Sequence, residues 1–245
     1  MSALTEDALL DGRVRLIQPV RGHRAGTDAV LLAAAAPLEA GDRVVDAGAA
    51  TGAVGLMLAR RASIRVVLVE RDPGLAELCR RNLALNGCPG QVAAADLFDR
   101  STWPAAELEP GSADLVATNP PFLEAGHGRA SPDPGRAAAH VLPEGGLAQW
   151  LRACAALLKP GGRLVLVQRA DRLADCLGAL GRGFGGMRLR FVHGRADGPA
   201  ARLILTATKG SRAPLAVDPP LVLHDGEGRF TPLAEAIHRG DALLQ

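Results

Sequence analysis

The chain has 245 residues, 48% hydrophobic and 22% charged, enough apolar material for one buried α/β core and too much for wholesale disorder. Its formal net charge of +2 is too small to hold a polyanion by bulk attraction, although Lys159 and Lys209 are the only lysines among 28 basic residues. Apolar stretches such as Val30 to Pro37 are far too short to span a bilayer, and residues 1–20 lack the basic-then-apolar order of a secretion leader, which points to a cytoplasmic protein.

The first recognisable element is a helix. Gln18-Pro19-Val20-Arg21-Gly22-His23-Arg24-Ala25-Gly26-Thr27-Asp28 runs into Ala29-Val30-Leu31-Leu32, with Thr27 or Asp28 as its side-chain cap. Residues 1–40 read as an N-terminal extension packed on a domain of residues 41–245. From residue 42, short β-rich runs alternate with longer helical stretches, the pattern of a parallel sheet covered on both faces. Arg43–Asp46 is the first strand and Thr51–Arg61 its helix. Arg65–Glu70 is the second strand, followed by a helix from Pro73 to Asn86. Pro73 suits a first helical turn and Gly87 a C-terminal stop. Gln91–Ala95 is the third strand and Ala113–Thr118 the fourth. The tract Gly126–Arg136, rich in Gly, Pro and Ala, reads as a mobile loop. The helix Leu147–Leu158 then leads through the turn Lys159–Gly162 to a fifth strand, Arg163–Gln168. Beyond a helix around Asp171–Leu180 come two β runs, Arg188–His193 and Ala201–Thr208. Their link, Gly194–Pro199, is too short for a crossover, so they pair antiparallel. Cys79, Cys88, Cys154 and Cys176 share no Cys-x-x-Cys spacing, and His127, His140, His193, His224 and His238 add none. The expectation is reduced, buried thiols and no metal site.

Chemistry concentrates at the carboxyl ends of the strands, where open α/β sheets bind ligands. The first strand runs into Asp46-Ala47-Gly48-Ala49-Ala50-Thr51-Gly52, whose glycines let the backbone come close to a ligand. A dinucleotide enzyme would carry G-x-G-x-x-G to seat a pyrophosphate. An acid before the first glycine instead suits a ligand with an ammonium group and no phosphate. Glu70 ends the second strand and suits a ribose diol. Asp96 follows the third and is placed to accept from an adenine amino group. In these features the sequence resembles the class I S-adenosylmethionine methyltransferases, whose layout is parallel strands ending in an antiparallel hairpin. The resemblance implies a Rossmann-like α/β fold with a mostly parallel seven-stranded sheet, an antiparallel last hairpin, and helices on both faces. It implies S-adenosyl-L-methionine as cofactor, bound by Asp46, Gly48, Ala50, Thr51, Gly52, Glu70, Asp96, Leu97 and Asn119. Arg24 and Thr27 would hold its methionyl carboxylate if the first helix packs beside the fourth strand. Ala50 departs from the class, which usually has glycine there.

The fourth strand delivers Asn119-Pro120-Pro121-Phe122 to the same edge. An amino nitrogen on adenine or an amide shares its lone pair with a π-system and is a poor nucleophile. If the Asn119 side-chain oxygen and the Pro120 carbonyl each accept one N–H, that lone pair is freed for in-line attack on a methyl group. Pro120 and Pro121 hold the carbonyl in an extended geometry, and Phe122 offers a stacking face for a planar substrate. No strong base is needed; the rate comes from orientation and fixed dipoles.

Three segments are similar to one family: Gly26-Thr27-Asp28, Asn119–Phe122 with Gly128-Arg129-Ala130-Ser131-Pro132, and Leu223-His224-Asp225-Gly226-Glu227-Gly228-Arg229-Phe230-Thr231-Pro232. It is the bacterial tRNA adenine-N6 methyltransferases that act beside the anticodon of valine tRNA. The resemblance implies a tRNA partner; with so small a net charge its phosphates need local arginines, and Arg129 and Arg136 in the loop, with Arg21 and Arg24 of the N-terminal segment, are placed next to elements that line the cofactor edge. The same Asn-Pro-Pro-aromatic motif also serves enzymes that methylate guanine N2 of ribosomal RNA or a protein glutamine. The glutamine enzymes usually carry a helical N-terminal domain, for which some forty residues leave no room. A non-catalytic Rossmann module is disfavoured by the intact acids and Asn-Pro-Pro-Phe, and an NAD enzyme by the missing G-x-G-x-x-G. Monomer and homodimer both remain open.

Overall fold

The computed structural model describes residues 3–22, 24–121, 123–124, 141–142 and 146–244. The chain opens with an antiparallel hairpin, β1 (Leu4–Leu9) and β2 (Val14–Pro19). Its turn places Leu10, Asp11 and Gly12 at positive φ. Val14, Leu16 and Gln18 are buried, the period-2 signature of a half-buried strand. Helix α1 (Thr27–Ala35) follows, with Ala29 through Ala35 all buried. The expected cap is corrected here: Gly26 is the N-cap and no side chain caps the helix. Thr27 is already helical, and Asp28 is drawn instead to Arg202 (3.1 Å).

The main sheet runs in the order β5-β4-β3-β6-β9-β11-β10. Its strands are β3 (Arg43–Ala47), β4 (Arg65–Val69), β5 (Gly90–Ala93), β6 (Ala113–Thr118), β9 (Leu158–Arg169), β10 (Phe184–His193) and β11 (Ala200–Lys209). Strand β11 lies between β9 and β10 and is antiparallel to both, as the short link required. The expected strand count is corrected from seven to nine. The additions, β12 (Ala216–Val217) and β13 (Leu221–Val222), are two-residue strands parallel to β10. Such short pieces carry no periodicity to read. A separate two-stranded pair joins β7 (Leu123–Glu124) to β8 (Val141–Leu142). Lys159–Gly162 lies inside β9 as an irregularity between the Ala113–Leu158 and Leu115–Arg163 pairings.

Helices cover both faces. On one, α1, α2 (Ala53–Arg61), α3 (Pro73–Leu85) and the C-terminal α6 (Pro232–Arg239) pack with Val44, Val66, Leu115, Val165 and Ile204. On the other, α4 (Gly146–Leu157) and α5 (Leu173–Leu180) pack with Val45, Val67, Val116, Leu166 and Leu205. This alternation along each strand is what a doubly covered parallel sheet demands. Asp72 caps α3 by accepting from Leu75 N at 2.8 Å, with Pro73 in the first turn. No described helix is long and apolar enough to cross a membrane.

Candidate active site

Parallel register aligns the strand ends. Ala47 pairs with Val69 on one side and Thr118 on the other, and Val69 pairs with Ala93. The residues that follow, Gly48, Glu70, Asp96 and Asn119, therefore emerge along one edge of the sheet. The turn after β3 is tight. Gly48 N and Ala49 N both donate to Val69 O (3.0 and 2.9 Å), and Gly52 N donates to Ala49 O (2.7 Å). Gly48 (φ 77°) and Gly52 (φ 84°) adopt left-handed backbone, and so does Ala50 (φ 51°). A side chain in that region costs roughly 1–2 kcal/mol, and such strain gathers at ligand-binding turns. Glu70 helps hold it there, its Oε2 accepting from Ala50 N at 2.8 Å.

The acids differ in environment. Asp46 is 2% exposed. Its Oδ2 accepts from Gly55 N at 2.9 Å, bracing the first turn of α2. Burial pushes its carboxyl up to about 7, with the Glu70 charge adding to the rise and the Gly55 N–H opposing it. Glu70 is buried too, and burial raises it above the usual carboxylate range against the N–H groups of Asp72 and Ala50. Its Oε1 accepts from Asp72 N at 2.8 Å, so each oxygen keeps a lone pair for a ribose hydroxyl. Two buried acids side by side favour a cationic ligand, which would lower the cost of ionising both. Asp96 accepts from Phe98 N (2.9 Å) through Oδ1, and no described residue bonds its other oxygen. Leu97 is buried against the second core, and the Thr51 carbonyl accepts from Asn82 Nδ2 at 2.9 Å.

Beside this turn, the Oδ1 of Asn119 is buried and has no hydrogen-bond partner among the described residues. Pro120 is buried behind it and Pro121 partly exposed. An acceptor stripped of water and left unpaired is costly unless a ligand donates to it. The edge thus offers glycine-type backbone, a ribose acceptor, an adenine acceptor, a buried acid pair and an open amide oxygen. These donor and acceptor types fit S-adenosylmethionine.

Arg24 is engaged elsewhere: its guanidinium bonds Asp7 Oδ2 (2.7 Å), Pro19 O (2.7 Å) and Thr5 Oγ1 (2.9 Å) within the hairpin. Thr27 Oγ1 lies 3.2 Å from His238 Nε2. Arg21 is exposed directly after β2. Phe122, Arg129 and Arg136, like the tract Gly126–Arg136, lie outside the described residues. Sequence reasoning missed Trp150, whose Nε1 donates to Thr118 Oγ1 at 2.8 Å, and Asn82, which ties the cofactor turn to the hairpin. A tryptophan and an asparagine on helices give no motif; only their partners reveal them.

A mostly parallel sheet with an antiparallel insertion beside its last strand, and a ligand edge of this chemistry, define a class I methyltransferase. The chain belongs to the methyltransferase small domain family, whose pattern matches residues 24–190. It is an S-adenosylmethionine-dependent methyltransferase. A relative from Shewanella amazonensis, named tRNA1(Val) (adenine(37)-N6)-methyltransferase, is 30% identical over 221 residues, 89% of this chain and 91% of that protein. One of the same name from Aeromonas hydrophila is 36% identical over 151 residues; this match takes in 59% of this chain and 58% of that relative. A crystal structure from Agrobacterium tumefaciens, described as a predicted O-methyltransferase, superposes with a TM-score of 0.73 at 32% identity, over 89% of this chain and 98% of that one.

Proposed function

We propose that this enzyme methylates the exocyclic N6 amino group of an adenine in tRNA, beside the anticodon. The observation that carries the reading is the buried Asn119 Oδ1, without a partner among the described residues, just past the end of the strand next to the cofactor turn. One N–H of the adenine amine donates to it and the other to the Pro120 carbonyl. With both protons held in the plane of the acceptors, the nitrogen lone pair loses its overlap with the ring and points out of plane. S-adenosylmethionine would supply the electrophilic methyl group for that lone pair, its S–CH3 bond breaking to leave a neutral thioether. The nitrogen then carries the positive charge, and its acidified proton leaves to water. Asn119 therefore acts by orientation and fixed dipole. Asp46, Gly48, Ala50, Thr51, Gly52, Glu70, Asp96 and Leu97 would hold the cofactor, and Thr27 its carboxylate end. Phe122 stacks on the base.

The relatives named as tRNA adenine methyltransferases support the substrate. The O-methyltransferase description of the Agrobacterium protein points to an oxygen acceptor. An oxygen nucleophile needs a base to take its proton, and the amide of Asn119 is not one; the amine reading fits this chain better. Nucleoside mass spectrometry of tRNA and ribosomal RNA, from cells with and without the gene, tests the proposal. Loss of N6-methyladenosine from tRNA is the expected result. Loss of an N2-methylguanosine from ribosomal RNA would overturn the substrate and leave the amine chemistry. In the purified enzyme, Asn119→Ala should cut turnover by about a hundredfold or more while leaving cofactor affinity nearly unchanged. Near-normal turnover would remove the role given to Asn119.

A further inference from the structure

Trp150, on α4, touches three separate turns of the cofactor edge. Its Nε1 donates to Thr118 Oγ1 at 2.8 Å, and Thr118 Oγ1 in turn donates to Ala47 O at 2.9 Å. Thr118 is the residue before Asn119, and Ala47 the residue before Gly48. The ring itself sits against the glycine turn: a Cβ on Gly48 would lie 2.7 Å from Cζ2 and 2.8 Å from Cη2. Gly48 thus lacks a side chain partly because the indole fills that space. Phe98, two residues past Asp96, meets the indole edge to face, with centroids 5.8 Å apart and planes at 68°. Thr118 is fully buried and Trp150 nearly so. A buried indole needs an acceptor, and any carbonyl or hydroxyl in this core would satisfy it. Here the acceptor is the hydroxyl that staples β3 to β6 at the level where both strands release their reactive turns.

We propose that Trp150 is a positioning residue for methyl transfer: through Thr118 and Gly48 it fixes the Asn119 strand end and the cofactor turn in one register. The reacting nitrogen is held by the strand end and the methyl donor by the turn. In-line transfer requires both to keep their relative placement, and sub-ångström slippage between them costs rate before it costs binding. This proposal rests on the reading in which Asn119 holds the reacting amine and the turn after β3 holds the cofactor; its turnover arm also uses the tRNA substrate.

The chain has two tryptophans, Trp103 and Trp150, which gives a spectroscopic test needing no RNA. In a Trp103→Phe background, whose S-adenosylhomocysteine affinity is first measured by calorimetry, Trp150 is the sole indole. Saturation with S-adenosylhomocysteine should shift or quench its emission. Unchanged emission at calorimetric saturation overturns the proposal. In the second arm, Trp150→Phe keeps the ring and deletes the N–H, and Thr118→Val deletes the hydroxyl at similar volume. Each should lower kcat on unmodified tRNA about tenfold at saturating cofactor and RNA, with KM for the cofactor changed less than kcat. Thr118→Ser should recover wild-type turnover, and the Trp150→Phe/Thr118→Val pair should be no slower than Thr118→Val alone, since that variant already breaks the Trp150 bond along with the bond to Ala47 O. A folded Trp150→Phe or Thr118→Val enzyme within twofold of wild-type kcat overturns the proposal. Wild-type enzyme inactive on tRNA would instead remove the substrate reading, and the emission of Trp150 would then decide the matter.

Discussion

Asp46 sits where a ligand-binding acid was expected, yet its buried carboxylate turns one oxygen inward to Gly55 N. Its folded-state value of about 7 lies well above the ordinary value of 3.8, and the cause is burial. The fold therefore binds the Asp46 proton more tightly than the unfolded chain does. Its contribution to stability is complete below about pH 4 and is lost as pH rises towards 7. Asp46→Asn keeps an acceptor for Gly55 N and cannot ionise. Without cofactor, the variant should match wild type in thermal midpoint near pH 3 and exceed it at pH 8, the gap opening between about pH 4 and pH 7. Identical pH profiles would mean that Asp46 ionises freely in the fold. Ala50 gives a smaller effect. Glycine at its φ of 51° removes roughly 1–2 kcal/mol of strain and adds about 0.5–1 kcal/mol of unfolded-state entropy. Ala50→Gly should accordingly raise the thermal midpoint by a few degrees at most; a clear fall would show that the alanine methyl makes a stabilising contact. The strand-end acids were legible because parallel strands release their next residues along one edge. The direction in which Asp46 points was not, since it depends on where Gly55 lies in α2.

The hairpin and α3 join by an arrangement that sequence patterns do not announce. Asn82 Oδ1 accepts from Ile17 N (2.7 Å) and its Nδ2 donates to Ile17 O (2.9 Å). Asn86, one turn on, does the same for Arg15 (2.9 and 2.7 Å). Two amides at i and i+4 on a helix thus stand in for a third strand along β2. Asn82 also donates to Thr51 O, in the cofactor turn. Asn82→Ala would take the partner from Ile17 N, Ile17 O and Thr51 O, a loss of about 3 kcal/mol or more at roughly 1–3 kcal/mol for each group left unpaired. Hydrogen exchange should quicken across residues 4–19 and in the turn after β3, while the β9–β11 ladder keeps its protection. Uniform acceleration through the sheet would mean that Asn82 supports the global fold rather than this junction. The core strands were readable because runs such as Val44-Val45 and Val66-Val67-Leu68-Val69 are apolar on both faces. β1, by contrast, is Leu-Thr-Glu-Asp-Ala-Leu, with no apolar alternation. It forms a strand because β2 pairs with it and the two asparagines hold β2. The helix cap misled for a related reason: Thr27 and Asp28 are cap residues by type, but His238 and Arg202 lie beside their side chains.

At the scale of the whole molecule the question is how a chain of net charge +2 would hold the RNA proposed as its substrate. Its arginines are numerous, but many are already engaged. Arg24 is taken by Asp7, Arg163 by Glu39 and Asp42, and Arg188 by Asp218. Arg190 donates to Pro219 O and shares Asp218. Arg188 and Arg190 also line a groove of about 750 Å³ under the C-terminal end of α1, whose N-terminal Thr27 marks the opposite end of that helix. An arginine that must first leave a carboxylate contributes little to phosphate binding. The arginines expected at phosphate are Arg21, exposed after β2, and Arg129 and Arg136 in the tract following Asn119–Phe122. Three contacts give a slope of log affinity against log salt between about −2 and −3, at 0.7–0.9 per phosphate. Replacing Arg129 and Arg136 together by alanine should flatten that slope by between one and two units, and Arg21→Ala by about one. Arg188→Ala should leave it unchanged, and cofactor affinity should hold in all three. Binding isotherms on one tRNA between about 50 and 200 mM salt, the range over which such contacts weaken most visibly, measure every term. A slope unaltered in the Arg129/Arg136 pair would mean that this tract does not touch phosphate. A slope altered in Arg188→Ala would place the RNA along the groove, far from the Asn119 edge, and would sever the link between binding and the reacting amine.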